Sequence, residues 1–198
     1  LTDSSAASDV YKRQVLILGD NIFHGNQLIN QLQCISEHEK GATVFAYPVK
    51  DPERYGVVDF DKNGKALSIE EKPNKAKSKY ALTGIYFYDS SVVEKSLRVK
   101  KSSRDELEIT SINKQYLDED SLKVVKMGRG TAWLDAGTHD ALHDAASYIK
   151  TLQQRQGLMI GCLEEIAWRK GWISDFELKS IANSLMENFY MEYLNSLV

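Results

Sequence analysis

Two aspartates stand where a metal could bind. Asp20 lies in the segment VLILGDN (residues 15–21), and Asp135 lies in AWLDAGT (residues 132–138). The apolar run at residues 15–18 predicts a strand buried on both faces, and ligands of open α/β sheets sit beyond the carboxyl ends of strands. An N-cap role for Asp20 and an Asx-turn role for Asp135 remain open alternatives. Together, the two acids indicate a site for a hard cation such as Mg²⁺.

A second group of candidates lies in the segment EEKP. Glu70, Glu71 and Lys72 end a predicted strand, and Pro73 favours an extended backbone at Lys72. An ammonium beside a carboxylate suits a phosphosugar, because the first neutralises phosphate and the second accepts hydroxyl protons. A solvated strand end with a surface ion pair is the alternative. Gly56 would let a ligand approach the backbone closely.

Secondary-structure elements must hold these residues in place. The hydrophobic pattern predicts alternating strands and helices in most of the chain and then a run of helices at its C-terminal end. Asn63-Gly64 predicts a hairpin turn between two strands. Ser174 and Glu177 form a capping box that opens a last helix through about residue 194. We therefore predict an α/β domain with a helical appendage. The predicted strands are residues 15–18, 42–49, two runs around the hairpin, 80–89 and 122–127. The predicted helices are residues 27–40, 92–97, 105–117, 140–154, 164–170 and the last one.

The predicted boundaries divide the chain into three parts. Residues 1–14 are polar and aperiodic and are expected to be a leader foreign to the fold. Residues 15–156 are expected to form the α/β domain, and residues 157–198 the helical appendage.

Composition excludes several functional classes. The 198 residues carry a net charge of −3, with 42% hydrophobic and 27% charged residues, which is typical of a globular protein and gives no support for nucleic-acid binding. No apolar run is long enough to cross a membrane. Cys34 and Cys162 are isolated, so a cytoplasmic location is expected. His139 and His143 lack a metal-binding pattern and are expected on a solvated helix face.

The order of five motifs resembles that of the sugar-phosphate nucleotidylyltransferases, and most closely the glucose-1-phosphate thymidylyltransferases: LGDN, DPERYGVVDFD, SIEEKPN, YALTGIYFYD and WLDAGTHDAL. GCLEEIAWRKGWI extends the resemblance into the C-terminal helices. The resemblance implies a Rossmann-like nucleotidyltransferase fold with a mixed sheet. It implies the reaction of dTTP with α-D-glucose 1-phosphate to give dTDP-glucose and pyrophosphate, a step of dTDP-rhamnose biosynthesis.

The resemblance also implies roles for individual residues. Asp20 and Asp135 would bind Mg²⁺, and Lys72 would bring in the anionic nucleophile. Substrate-binding positions would be Tyr55, Gly56, Glu71, Lys72, Leu82 (in place of the usual Val) and Thr83, with Tyr86 beside them. The family is typically a homotetramer with a second, regulatory nucleotide site, which here would comprise Gly25, Gly128, Arg129, Glu165, Ile166 and Arg169.

One family feature has no counterpart in this sequence. The glycine-rich nucleotide loop, of the form G-G-x-G-T-R-L, is not among these residues. The chain is therefore expected to be the carboxyl two-thirds of an enzyme, lacking the nucleotide-binding part and inactive by itself. A UTP-using sister enzyme and a non-catalytic nucleotide-sugar-binding module remain open. A phosphohydrolase is disfavoured, because Ile22 stands where an Asp-x-Asp arrangement needs its second acid.

Overall fold

The computed structural model describes residues 13–25, 28–36 and 40–198. The chain divides into two compact units, Leu1–Leu142 and His143–Val198. The leader expected at residues 1–14 lies outside the described residues except for Arg13 and Gln14, which begin the first strand. The domain boundary expected after residue 156 stays a prediction. Within the described ranges, no helix is long and apolar enough to cross a membrane.

The first unit is built on a mixed sheet, which confirms the predicted α/β class. Its strands are β1 (Arg13–Ile17), β3 (Ala42–Pro48), β4 (Gly56–Phe60), β5 (Ala66–Glu71), β6 (Tyr80–Asp89) and β7 (Leu122–Lys126). Their order is β5-β4-β6-β3-β7, and β1 also pairs with β6. The β3–β7 pair is parallel, and the other pairs are antiparallel. A separate antiparallel ribbon joins β2 (Asn21–His24) to β8 (Ala132–Asp135).

The helices follow the predicted pattern with shifted ends. They are α1 (Leu28–Ser36), α2 (Val92–Leu97), α3 (Ile109–Asp118), α4 (His139–Gln156), α5 (Leu163–Arg169), α6 (Asp175–Ser184) and α7 (Phe189–Ser196). The prediction of helix at Gln27 and at residues 37–39 lies outside the described residues. A single last helix was the wrong prediction, because Leu185 is extended and the Asn188 side chain caps a new helix by accepting from the Met191 N–H at 3.0 Å.

Strand β6 lies in the middle of the sheet, and its side chains alternate between two hydrophobic cores. Leu82 and Tyr86 join the cluster that includes Tyr116 of α3. Ile85 joins the cluster that includes Leu28 of α1. The sheet is thus covered by a helix on each face, and α3 brings its first turn to the β4–β6 side.

The apolar run of β1 is the clearest departure from the sequence prediction. Val15 and Ile17 are 54% and 57% exposed, so the predicted burial on both faces is wrong for the described structure. β1 pairs with β6 on one edge, and no second strand pairs with it among the described residues. An apolar run makes a strand suitable for burial, but covering its faces requires packing elements that its own sequence does not specify.

The predicted hairpin is confirmed as the β4–β5 pair. The backbone φ is positive at Gly64 (+87°) and not at Asn63. The Asp61 side chain shapes the loop by accepting from the N–H groups of Asn63 (2.9 Å) and Lys65 (2.8 Å). The turn is therefore a five-residue loop with one left-handed glycine.

The second unit has its own hydrophobic core. Leu178, Ala182 and Leu194 are fully buried there, packed with Cys162 and Tyr193. The predicted capping box is confirmed: the Ser174 hydroxyl accepts from the Glu177 N–H at 3.3 Å, and the Ser174 N–H donates to the Glu177 carboxylate at 2.8 Å.

Candidate active site

A cavity of about 570 Å³ opens in the first unit beside β6. Its walls come from the loop after β1, the β4–β5 pair, β6, the start of α3 and the end of β8. The lining residues are Leu18, Asp20, Asn21, Arg54, Tyr55, Gly56, Glu71, Lys72, Leu82, Thr83, Gly84, Tyr86, Ile109, Thr110, Trp133, Asp135, Gly137 and Thr138. All the residues expected to bind sugar phosphate or metal are thus brought together here.

The cavity exists because the ladder on one edge of β6 is interrupted. β1 pairs with Ile85 and the residues after it, and β4 pairs with Tyr80 and Ala81. Between these ladders, Gly84 accepts from the Leu18 N–H at 2.9 Å. The gap between the two partner strands leaves room for a ligand at Leu82 and Thr83, and the buried Thr83 hydroxyl has no hydrogen-bond partner among the described residues.

The β2–β8 ribbon brings the two aspartates together. Asn21 stands opposite Asp135 in this ribbon, and the Ala136 N–H donates to the Asp20 carbonyl at 2.8 Å. A Cβ placed on Gly137 would lie 3.3 Å from Asp135 Oδ1 and 3.7 Å from Asp20 Oδ2. The two carboxylates therefore face one small volume. Asp20 is followed by a strand, so it does not act as an N-cap.

The Asn21 side chain fixes this arrangement. Its Nδ2 donates to Asp20 Oδ1 at 2.8 Å, and its Oδ1 accepts from Trp133 Nε1 at 2.6 Å and from the Gly84 N–H at 3.1 Å. Asn21 thereby ties Asp20 to β6 and to β8.

The two carboxylates suit a hard cation. They supply oxygen ligands, and the described residues contain no group of three or more His, Cys, Asp or Glu side chains placed to hold a metal. Such a donor set fits Mg²⁺, which takes one or two protein carboxylates and completes its shell with water and phosphate oxygens.

Glu70 and Glu71 have opposite environments. Glu70 forms an exposed ion pair with Lys77, as the surface alternative predicts. Glu71 turns into the cavity and accepts a hydrogen bond from the Thr110 hydroxyl, which is 2% exposed. Arg104 Nη1 lies 3.9 Å from the Glu71 carboxylate. Glu71 is therefore held by α3 and by the loop before it.

Lys72 departs from its predicted backbone conformation. Its φ is +39°, although Pro73 favours an extended backbone. The Lys72 N–H donates to the Tyr55 carbonyl at 3.0 Å, which continues the β4–β5 pairing past the strand end. This tertiary hydrogen bond outweighs the local preference, and backbone strain of this kind often occurs at functional positions.

Aromatic rings form one wall of the cavity. The Tyr55 ring centroid is 5.1 Å from that of Trp133, which lies 6.0 Å from that of Tyr47. Burial raises the pKa of Tyr55 and that of Tyr86, and the charge of Glu71 raises the pKa of Tyr86 further. Both hydroxyls therefore stay protonated at neutral pH, and that of Tyr55 donates to the Asp135 carboxylate.

Nine of the lining residues were not among the predicted site residues, and four of these contribute polar, charged or aromatic groups to the site: Asn21, Arg54, Thr110 and Trp133. Asn21, Arg54 and Trp133 lie within the motifs LGDN, DPERYGVVDFD and WLDAGTHDAL, so their place in these motifs was the available signal. Thr110 had no local signal, because it meets Glu71 only through the packing of α3.

The six expected regulatory positions fall in both units. In the first, a Cβ on Gly25 would lie 2.9 Å from the Gly130 carbonyl, so Gly25 packs against the loop that contains Gly128 and Arg129. In the second, Arg169 Nε donates to Glu165 at 2.7 Å, and Ile166 is 44% exposed. Their regulatory role stays a prediction.

Comparisons with known proteins agree on one family. The sequence matches the family described as "Nucleotidyl transferase" over residues 3–151. A glucose-1-phosphate thymidylyltransferase of Neisseria meningitidis serogroup A is 52% identical over 92% of this chain and 64% of its own length. One from Mycolicibacterium smegmatis is 49% identical over 92% of this chain and 63% of its own length. The chain thus spans somewhat less than two thirds of these relatives.

Solved structures show the same fold. A Bacillus anthracis protein assigned as a glucose-1-phosphate thymidylyltransferase, crystallised with sucrose, has a TM-score of 0.61 and 39% identity, covering 74% of this chain and 60% of that one. A UDP-glucose pyrophosphorylase has a TM-score of 0.56 at 18% identity, covering 75% of this chain and 58% of that one, and supports the fold alone.

Proposed function

Because the chain belongs to the nucleotidyl transferase family, we propose that its cavity is the sugar-phosphate site of a glucose-1-phosphate thymidylyltransferase. The reaction joins dTTP and α-D-glucose 1-phosphate to give dTDP-glucose and pyrophosphate. The names of the relatives at about 50% identity support thymidylyl transfer over the UTP-using alternative.

The proposal rests on one observation: a pair of carboxylates and a carboxylate–ammonium pair line the same cavity. Asp20 and Asp135 stand on one side, and Glu71 and Lys72 on the other. A non-catalytic module with acids retained for structure gives no reason for Asp20 and Asp135 to converge beside an open cavity. A phosphosugar site needs both groups, since one holds a cation for phosphates and the other holds the sugar.

The chain's own residues bind and align the sugar phosphate. The Lys72 ammonium pairs with the phosphate, and the Glu71 carboxylate accepts sugar hydroxyl protons. Gly56 lets the sugar approach the backbone, and a Cβ there would lie 3.1 Å from Glu71 Oε2. Leu82 and Tyr86 form the wall beneath the ring.

Asp20 and Asp135 would hold Mg²⁺ in this site. Bound there, Mg²⁺ would supply positive charge that offsets the negative charge developing on the phosphates during transfer. Asn21 and the β2–β8 ribbon orient the two carboxylates for that role.

The chemistry is a direct displacement. A phosphate oxygen of glucose 1-phosphate bonds to the α-phosphorus of dTTP as the bond to the pyrophosphate oxygen breaks. The attacking phosphate is already ionised, so no side chain has to remove a proton. The protein contributes mainly alignment and charge neutralisation, which are the main requirements of phosphoryl transfer.

We further propose that Gly25, Gly128 and Arg129, and likewise Glu165, Ile166 and Arg169, take part in regulatory nucleotide binding, and that the complete protein is a homotetramer. The family resemblance supports both ideas.

Calorimetric binding of glucose 1-phosphate to the 198-residue chain tests the proposed site. Glu71→Ala should weaken binding on the order of 10-fold or more, because hydrogen bonds to a charged group contribute about 1.5–3 kcal/mol. The matched control is Glu70→Ala, which removes an adjacent but outward-facing carboxylate and should change affinity by less than about twofold. Equal effects of the two variants, or no binding to the unmodified chain, would contradict the proposal.

A further inference from the structure

Arg54 is a cavity residue to which the proposed function gives no role. It ends the 3-10 turn Pro52–Arg54 and directly precedes Tyr55 and Gly56. Its side chain lines the cavity and is 46% exposed, so it can meet a ligand.

The guanidinium of Arg54 is held in position by its neighbours. Its Nη1 donates to Asp51 Oδ2 at 3.0 Å, and its Cζ lies 5.5 Å from the Tyr55 ring centroid. The Asp51 hydrogen bond raises the pKa of Arg54, and Asp135 acts in the same direction. Asp51 engages Nη1, which leaves the Nε and Nη2 donors for a second anion. This planar group suits phosphate oxygens.

Arg54 and Lys72 both adjoin the segment Tyr55-Gly56. The Lys72 N–H donates to the Tyr55 carbonyl at 3.0 Å, so Lys72 lies on the Glu71 side of that segment. Arg54 Cζ lies 5.5 Å from the Tyr55 ring centroid, and that ring packs 5.1 Å from the ring of Trp133, two residues before Asp135. The cavity thus has one cation near the sugar-binding acid and another near the paired aspartates.

The cavity offers two separate cations to a ligand. Three carboxylates, Asp20, Glu71 and Asp135, and two cations, Arg54 and Lys72, line it. A sugar phosphate needs one cation at the Lys72 end. A second phosphate, lying toward the two aspartates, would need a cation of its own, and Arg54 is placed to supply it.

We propose that Arg54 binds the second phosphate of a sugar diphosphate, while Lys72 binds the phosphate attached to the sugar. The inference rests on the proposed function, because it assumes that the cavity holds the sugar. It makes Arg54 a residue that distinguishes the diphosphate product from the monophosphate substrate.

Two probes separate these contacts in calorimetric titrations of the 198-residue chain with Mg²⁺ present. Arg54→Ala should raise the Kd for dTDP-glucose by about 10- to 100-fold and that for glucose 1-phosphate by less than about threefold. Lys72→Ala should raise both Kd values. Arg54→Lys keeps the positive charge but removes the planar guanidinium with its paired N–H donors. It should therefore give a smaller loss of affinity that is still selective for dTDP-glucose.

The control is Arg98→Ala, since Arg98 is an exposed arginine paired with Glu94 on α2 and does not line the cavity. It should leave both Kd values unchanged. Thermal melting of the Arg54 variants should shift by less than about 4 °C, because exposed ion pairs add little stability. If the melting temperature of Arg54→Ala falls by more than this, a selective loss of dTDP-glucose affinity in Arg54→Lys still tests the proposed contact.

Three results would overturn the inference. Unchanged affinity for both probes would leave Arg54 as a surface partner of Asp51 only. Equal weakening of both would mean that it supports the cavity as a whole. If the unmodified chain binds neither probe, the proposed function fails as well. If the unmodified chain binds both and Arg54→Ala is not selective, the inference alone fails.

Discussion

The two units assemble their candidate residues over very different spans of sequence. In the first, the hydrogen bond from Trp133 to Asn21 joins residues 112 positions apart and holds Asp20 beside Asp135. In the second, Glu165 and Arg169 pair within one helical turn. Geometry in the first unit depends on how distant strands pair, and in the second on local helix structure. Substitutions should therefore act in different ways in the two units.

The largest effect should come from the core of the second unit. Leu178→Ala removes a side chain with no exposed surface and should lower the free energy of unfolding by about 2–5 kcal/mol. Chemical denaturation measures this, with Leu163→Ala, 75% exposed, as the control. Glucose 1-phosphate affinity should persist under native conditions, because all cavity residues precede His139. A parallel loss of affinity would show that the site depends on the second unit.

In the first unit, Gly84→Ala should disturb the site through a non-local contact. The added Cβ would lie 2.6 Å from Asn21 Oδ1, so Asn21 would have to shift and release Asp20 and Trp133. We expect a stability loss of about 1–3 kcal/mol and a fall of roughly 10-fold in Mg²⁺-dependent dTDP-glucose affinity.

Gly19→Ala is the control for this substitution, because an added Cβ there has no neighbour within 4 Å. It should leave stability and affinity nearly unchanged. A Gly84→Ala protein that melts and binds normally would show that Asn21 does not hold the aspartates.

Acid stability gives a third comparison, between Asp89 in the first unit and Glu177 in the second. Burial would raise the pKa of Asp89, but hydrogen bonds from Ser91, Gly41 and Tyr116 outweigh it and lower the pKa. A lowered folded-state pKa adds stability above the unfolded value of about 4, and this stability is lost as the pH falls through the folded value.

Asp89→Asn should therefore lower the melting temperature at pH 7 and flatten its decline below about pH 4. Melting curves from pH 2 to 7 measure this effect. Glu177→Gln should change the curve less, because Glu177 is fully exposed, although hydrogen bonds from Ser174 lower its pKa. A larger effect of Glu177→Gln than of Asp89→Asn would mean that the helix cap contributes more to the pH dependence of stability than the part-buried carboxylate does.

The smallest effect should come from the capping box of α6. Ser174→Ala removes the hydroxyl that accepts from the Glu177 N–H and should cost about 1 kcal/mol. Ser184→Ala is a matched control, since that hydroxyl donates to a carbonyl in the last turn of the same helix. Denaturant titration should rank Ser174→Ala as the more destabilising change, and the opposite order would contradict the capping assignment.

Local sequence signals were most reliable where the structure itself is local. The capping box, the Gly64 turn and most helices were predicted, because each depends on residues a few positions apart. The prediction of one continuous last helix was wrong because Leu185 is extended and Asn188 caps a second helix after it. The hydrophobic periodicity does not indicate this break. The predicted extended backbone at Lys72 was wrong because a hydrogen bond to the Tyr55 carbonyl outweighs the conformational preference imposed by Pro73.

By itself, the sequence determined the α/β class and the set of residue types available for chemistry. Strand and helix periodicity, motif order and turn residues all act within short segments. Only the tertiary structure decided that Asp20 meets Asp135, that Glu71 turns inward while Glu70 turns out, and that Thr110 and Arg54 join them. It also left the apolar side chains of β1 exposed. These outcomes depend on which strands pair and which helix covers them, and long-range packing energies decide that pairing.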